Sequence, residues 1–242
     1  MYLNKRRTFV LALTCFCFIG ILTTLGLMIN WKKDIKTNTQ VKQSMEKFLV
    51  TDKQEDIDTG IEVDFEELRK INPDTVGYLE VPNTNVQFVV VKGNDNSYYL
   101  THNFNKDKNA AGWIFMDYNN KADGTDKNIV IFGHNTTDGS MFGSLSKLLD
   151  ENNLKDKENL IISLVTDKGT KKYQIFSIYT IKPEKYYIRT DYGEEEFIKF
   201  KEKIKERSLF KLDADLDNKN ILTLSTCQNH GAKRLAIHAV EI

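Results

Sequence analysis

From Thr8 to Trp31 the chain carries no charged side chain, and this stretch limits what the chain can fold into more than any other. At about 1.5 Å per residue, a helix over the run spans a hydrocarbon core of roughly 30 Å. Lys5-Arg6-Arg7 precedes it, and Trp31 followed by Lys32-Lys33 sits where an interfacial belt is expected. Apolar residues lie all round such a helix and not along one stripe, which fits a membrane span better than a buried core helix. The run exceeds a secretory h-region and lacks an Ala-x-Ala-like exit, so it reads as an uncleaved signal-anchor. An N-terminal anchor with no later span most simply makes residues 1–7 a cytoplasmic tail and 8–31 a single pass through the cell membrane. The bulk of the chain is then extracellular.

That placement governs the three cysteines. Cys15 and Cys17 lie in the apolar run and read as small membrane hydrophobes. Cys227 has no partner in the exported part, and an unpaired thiol in an oxidising compartment is either buried or kept for reactivity. The 34 basic and 34 acidic residues cancel, so no basic field points to nucleic acid.

Residues 32–60 are polar, with a weak helical patch over 41–50, and read as a spacer. Residues 64–71 form a short helix with Phe65, Leu68 and Ile71 on one face, stopped by Asn72-Pro73-Asp74. Strand signals then dominate, at 76–81, 86–91, 112–116, 128–132, 160–166 and 172–181, with turn residues between most of them. Two helices interrupt, over 140–149 with Phe142, Leu145 and Leu149 on one face, and over 194–206 with Phe197, Phe200 and Ile204 on one face. Many short strands and a few peripheral helices predict a mainly β domain over 61–242. Its expected form is a closed or nearly closed barrel of about eight strands.

The last two strand-like runs, 221–225 and 234–240, make a hairpin that sets Cys227 beside Arg234 at one sheet edge. A thiol next to a guanidinium suits attack on a carbonyl, with a cation facing the developing negative charge. The thiol still needs an imidazole or cation to activate it. Of the four histidines, His134 ranks first as a base, because it follows strand 128–132 through Gly133 into a polar loop. His230 ranks second; His102 sits in a loop, and His238 alternates with Arg234 along the last strand. Lys233 competes with Arg234 for the cationic role, since neighbouring strand residues face opposite sides. Cys227 and His230 form a C-x-x-H pair, but no second pair at ligand spacing accompanies it, so no metal site is expected.

Around these residues the chain resembles the sortases, membrane-anchored cysteine transpeptidases of Gram-positive bacteria, and class B most closely. Thr223-Leu224-Ser225-Thr226-Cys227, Gly133-His134 and the following Arg234 carry the resemblance. Gly112-Trp113-Ile114-Phe115-Met116-Asp117, Asp138-Gly139-Ser140-Met141-Phe142 and Tyr187-Ile188-Arg189-Thr190-Asp191 extend it. The resemblance implies that Cys227 attacks the threonine carbonyl of a C-terminal sorting motif, with His134 as acid and base. It gives Arg234, in preference to Lys233, the substrate and oxyanion. It puts Asn96, Leu100, Tyr187 and Ser225 in the substrate groove, and makes helix 194–206 the extra helix of class B. The implied partners are sorting-motif-bearing surface proteins and an amine of the peptidoglycan precursor, with water as the lesser acceptor and no cofactor. The loop 228–233 departs from class B in being short and in carrying Gln228-Asn229-His230 where acidic residues are common. Two other readings remain: a pilin-polymerising sortase, and a non-catalytic binding domain on the same barrel.

Overall fold

The computed structural model describes residues 2–51, 61–227 and 233–242. Helix α1 (Tyr2–Met45) is continuous from the apolar run into the stretch expected to be a spacer. Its first part is long and apolar enough to cross a membrane. Phe9, Leu11, Phe16 and Leu27 there are all more than 60% exposed. From Asp34 onward one face of the same helix packs on the folded domain, burying Asn38, Val41 and Met45. Residues 34–45 therefore pack on the folded domain through this face.

A two-stranded ribbon, β1 (Leu49–Thr51) with β2 (Ile61–Val63), and helix α2 (Phe65–Ile71) lead into the barrel. Asp64 caps α2, its carboxylate accepting the Glu67 N–H at 3.0 Å. Phe65 and Leu68 are buried, but Ile71 is 49% exposed. Six residues turn a helix to about 120° from the starting face, which carries Ile71 off the buried stripe.

The barrel is closed and has eight strands: β3 (Thr75–Glu80), β4 (Gln87–Val91), β5 (Phe115–Met116), β6 (Asn128–His134), β7 (Ile161–Thr166), β8 (Gly169–Ile181), β9 (Ile221–Cys227) and β10 (Arg234–Glu241). Their order round the barrel is β10-β8-β7-β3-β4-β5-β6-β9. Most neighbours are antiparallel, but β4–β5 and β6–β9 are parallel. Helix α3 (Glu194–Glu206) lies between β8 and β9 in sequence. It buries Phe197, Phe200 and Ile204 against a second core that includes Phe176, Tyr179, Ala236 and Val240.

Two elements depart from the sequence expectation. The strand expected over 112–116 shrinks to Phe115–Met116, because Gly112 takes a φ of +59° and the Trp113 N–H turns aside to the Tyr99 carbonyl at 2.8 Å. The helix expected over 140–149 is a 3-10 helix, Gly143–Leu149. Its three-residue period lines up Phe142, Leu145 and Leu148 as the buried set, leaving Leu149 at 37% exposure.

Because Val41 and Met45 join the main core, a soluble fragment beginning at Lys32 should outlast one beginning at Glu46 in urea. The expected gap is at least about 2 kcal/mol, on the order of one buried aliphatic side chain. Equal midpoints would mean that the end of α1 adds nothing to the barrel.

Candidate active site

The parallel pair β6–β9 runs in unbroken register from Asn128↔Ile221 to His134↔Cys227. On the other side of β9, antiparallel β10 matches Val240↔Ile221, His238↔Thr223 and Ala236↔Ser225. Side chains alternate along a strand, so Val130, Thr223 and His238 form one row across three strands, and Phe132, Ser225 and Ala236 the next. The β6–β9 register continues one step further to His134↔Cys227, while the β9–β10 pairing ends at Ala236↔Ser225, two residues into β10. Arg234 is the first residue of β10, pairs with Ile181 of β8 on its other side and is partly exposed. Lys233 lies outside the strand and is exposed. The backbone thus sets His134 beside Cys227 at two strand ends, with Arg234 opening the strand that pairs with β9.

His134 ends β6 and is 4% exposed. Its Nε2 lies 2.7 Å from the Leu100 carbonyl oxygen. A carbonyl only accepts, so Nε2–H is the donor and the neutral ring carries its lone pair on Nδ1. Gly112 makes this contact possible. A Cβ there would stand 2.4 Å from the Tyr99 oxygen, 2.9 Å from the Leu100 oxygen and 3.0 Å from Cδ2 of His134, and the positive φ disfavours any side chain.

The residues expected to line a groove divide into two groups. Leu100 is partly exposed, and its carbonyl oxygen meets the imidazole. Asn96 is partly buried and spends its amide on the following loop. Its Nδ2 donates to Asp117 at 2.7 Å, and its oxygen accepts the Tyr118 N–H at 3.1 Å. Tyr187 and Ser225 are fully buried, with their hydroxyls 3.0 Å apart, one row beneath Cys227. His102 stacks on Tyr98 at 4.0 Å and turns Nδ1 to that residue's carbonyl. His230, with the rest of the 228–232 loop, lies outside the described residues. The Leu100 carbonyl and Gly112 escaped sequence reasoning, since a main-chain oxygen carries no residue signature. Among the described residues no three His, Cys, Asp or Glu side chains stand together as metal ligands.

The Sortase domain family matches residues 79–242. Sortase B of Listeria monocytogenes is 37% identical over 66% of this chain and 65% of its own length. Sortase B of Staphylococcus aureus is 32% identical over 68% of each. The chain thus spans about two thirds of the length of these curated relatives. The solved sortase B of Bacillus anthracis superposes with a TM-score of 0.76 at 32% identity, covering 87% of this chain and 98% of that one. The chain belongs to the sortase family, class B.

In this sortase the row two steps below Cys227 is a closed hydrogen-bond chain. The Thr223 hydroxyl donates to Asn128 Oδ1 at 2.7 Å, which leaves it to accept from His238 Nδ1–H at 2.8 Å. His238 Nε2 then accepts the Tyr179 hydroxyl at 2.8 Å. Both ring nitrogens are satisfied with the imidazole neutral, and burial pushes the His238 pKa down to about 3.

The unfolded chain therefore takes up a proton at His238 below about pH 6.5 that the folded barrel refuses until near pH 3. This contribution is neutral above pH 6.5 and costs stability as pH falls between the two values, by about 1.4 kcal/mol per pH unit. Urea midpoints measured from pH 7 to 4 should decline, and His238→Asn should remove about one proton's worth of that slope while lowering stability at pH 7. An unchanged slope would refute the assignment.

Proposed function

We propose that this sortase is a membrane-anchored cysteine transpeptidase that cuts a C-terminal sorting motif after threonine and transfers the surface protein to an amine of the cell-wall precursor. The observation that carries the reading is the pairing of His134 with Cys227 at the ends of β6 and β9, with Arg234 the first residue of β10, the strand on the other side of β9. A nucleophile, an acid–base group and a fixed cation then reach one substrate carbonyl from contiguous backbone, which is what acyl transfer to a thiol requires.

With Nε2–H held by the Leu100 carbonyl, Nδ1 of His134 is the atom that exchanges protons. As the Cys227 sulfur bonds to the threonine carbonyl carbon, the thiol proton passes to Nδ1. The carbonyl π electrons move onto oxygen, where the Arg234 guanidinium balances the charge. Collapse breaks the C–N bond, and Nδ1–H protonates the departing amine. A thioester remains. The acceptor amine adds to the thioester, gives a proton to Nδ1, and the released sulfur takes it back. Water entering in place of the amine gives hydrolysis.

Leu100 and Asn96, both partly exposed, border the substrate in this reading. Tyr187 and Ser225 act from beneath, holding the end of β9. The apolar run with Lys5-Arg6-Arg7 before it supports a single-pass protein with its N-terminus in the cytoplasm and its barrel outside.

Full-length protein in detergent, given a fluorogenic sorting peptide, tests the scheme. Cys227→Ala should abolish cleavage, and cleavage that survived it would favour a non-catalytic role for the site. His134→Ala should lower turnover by about 10²–10⁴-fold, with the far-UV circular dichroism of the barrel kept, since the residue ends its strand. Arg234→Lys should be impaired by about tenfold or more, because an ammonium does not reproduce the guanidinium fork. Near-normal rates for Arg234→Lys would remove Arg234 from the mechanism.

A further inference from the structure

The end of α1 is bound to the barrel in register. Residues 34, 38, 41, 42 and 45 fall on one helical stripe. The Asp34 carbonyl accepts from Asn109 Nδ2 at 2.9 Å, and its carboxylate from the Ala110 N–H at 2.9 Å. Asn38 Nδ2 donates to the Gly112 carbonyl at 2.9 Å, on the glycine that packs against His134. Val41 and Met45 enter the core, and Lys42 Nζ donates to the Asn85 carbonyl at 3.1 Å and lies 4.6 Å over the Phe88 ring. No glycine or proline interrupts the chain from Leu27 to Met45, so no joint separates anchor from clamp.

The geometry points to α1 as a rigid strut that rests the 101–111 loop on the anionic phospholipid headgroups of the bilayer it spans, at a fixed short distance from the site. This rests on reading residues 8–31 as the membrane span. Trp31 then marks the interface. Asp34 stands about 4.5 Å further along the axis, and Asn38 about 10 Å. The loop tied to Asp34 is thereby held at headgroup level, and Leu100, whose carbonyl orients His134, leads directly into it. The exposed side chains at this level are mainly cationic. Lys32, Lys33 and Lys36 are on the helix and Lys108 is on the loop; Asp107 is the exposed acid, and Lys106 is paired with Asp74 at 2.9 Å. Ammonium groups at that height meet lipid phosphates. A peptide reaching the site from the same bilayer needs only a short tether, whereas one in free solution gains nothing from the strut.

Full-length protein in phosphatidylglycerol-containing liposomes provides the test. A fluorophore is placed at Asn105→Cys or, as control, at Lys47→Cys, in a Cys15→Ser, Cys17→Ser, Cys227→Ala background. Lys47 is exposed and about 24 Å beyond Trp31 along the helix. Nitroxide on the lipid headgroup should quench the label at position 105 and spare that at 47. Seven helix-forming residues inserted between Lys33 and Asp34 add about 10 Å in about two turns and should abolish the quenching at 105. In active protein the same insertion should slow cleavage of a bilayer-tethered sorting peptide by at least about tenfold and leave the free peptide unaffected. Equal quenching at 105 and 47, or quenching at 105 indifferent to the insertion, overturns the strut. Cleavage of the free peptide by the unmodified chain tests the transpeptidase reading alone, so the two ideas fail separately.

Discussion

Every functional feature of the barrel depends on the parallel pairing of β6 with β9. Parallel neighbours cannot be joined by a tight turn, and here the connection consists of β7, β8 and α3. Both strands consequently finish at the same end of the barrel. A histidine closing one and a cysteine closing the other become neighbours although they stand 93 positions apart in the sequence. β10 then returns antiparallel from that end, so its first residue, Arg234, lies at the same end of the barrel. Two strand ends and one strand start meet there, and each is held by a ladder instead of by a loop.

What the rows below contain explains why the register does not slip. On β9, Leu222 and Leu224 enter the main core while Thr223 and Ser225 face the other way. A shift by one residue would send both hydroxyls into the barrel interior and bring the leucines out against His238 and Tyr187. Each buried hydroxyl left without a partner costs about 1–3 kcal/mol. In the native register both of these hydroxyls have partners. Ser225 meets Tyr187, and Thr223 sits between Asn128 and His238.

Much of this was readable from the residues, and the unread parts have physical reasons. Helix 194–206 carries Phe197, Phe200 and Ile204 on one face and matches residue for residue. The hairpin of the last two strands follows from two β-branched, apolar runs and a short loop. The buried end of α1 could not be read, because its inward face mixes Asp34, Asn38 and Lys42 with Val41 and Met45. A hydropathy period does not register a face that binds through amides and main-chain carbonyls. The 3-10 helix was missed because its period of three was read as 3.6, which selects Leu149 over Leu148. Tyr187 and Ser225 were assigned to the substrate groove through the resemblance, and no hydropathy pattern signals that their buried hydroxyls lie 3.0 Å apart.

The imidazole of His134 is held by a main-chain oxygen. His134 is aimed by the Leu100 carbonyl, and the 99–100 main chain can come that close because Gly112 offers no Cβ. Gly112 is in turn fixed by its own N–H on the Asn109 carbonyl, by Trp113 N–H on Tyr99, and by Asn38 on its carbonyl. A carboxylate in place of Leu100's oxygen would hold the ring as well, but it would stabilise the imidazolium more strongly and draw the proton away from transfer. A neutral acceptor fixes the tautomer without adding charge. In the proposed reaction the ring's other nitrogen takes and gives the proton, a role with no counterpart at His238, whose two nitrogens both lie in the buried hydrogen-bond chain.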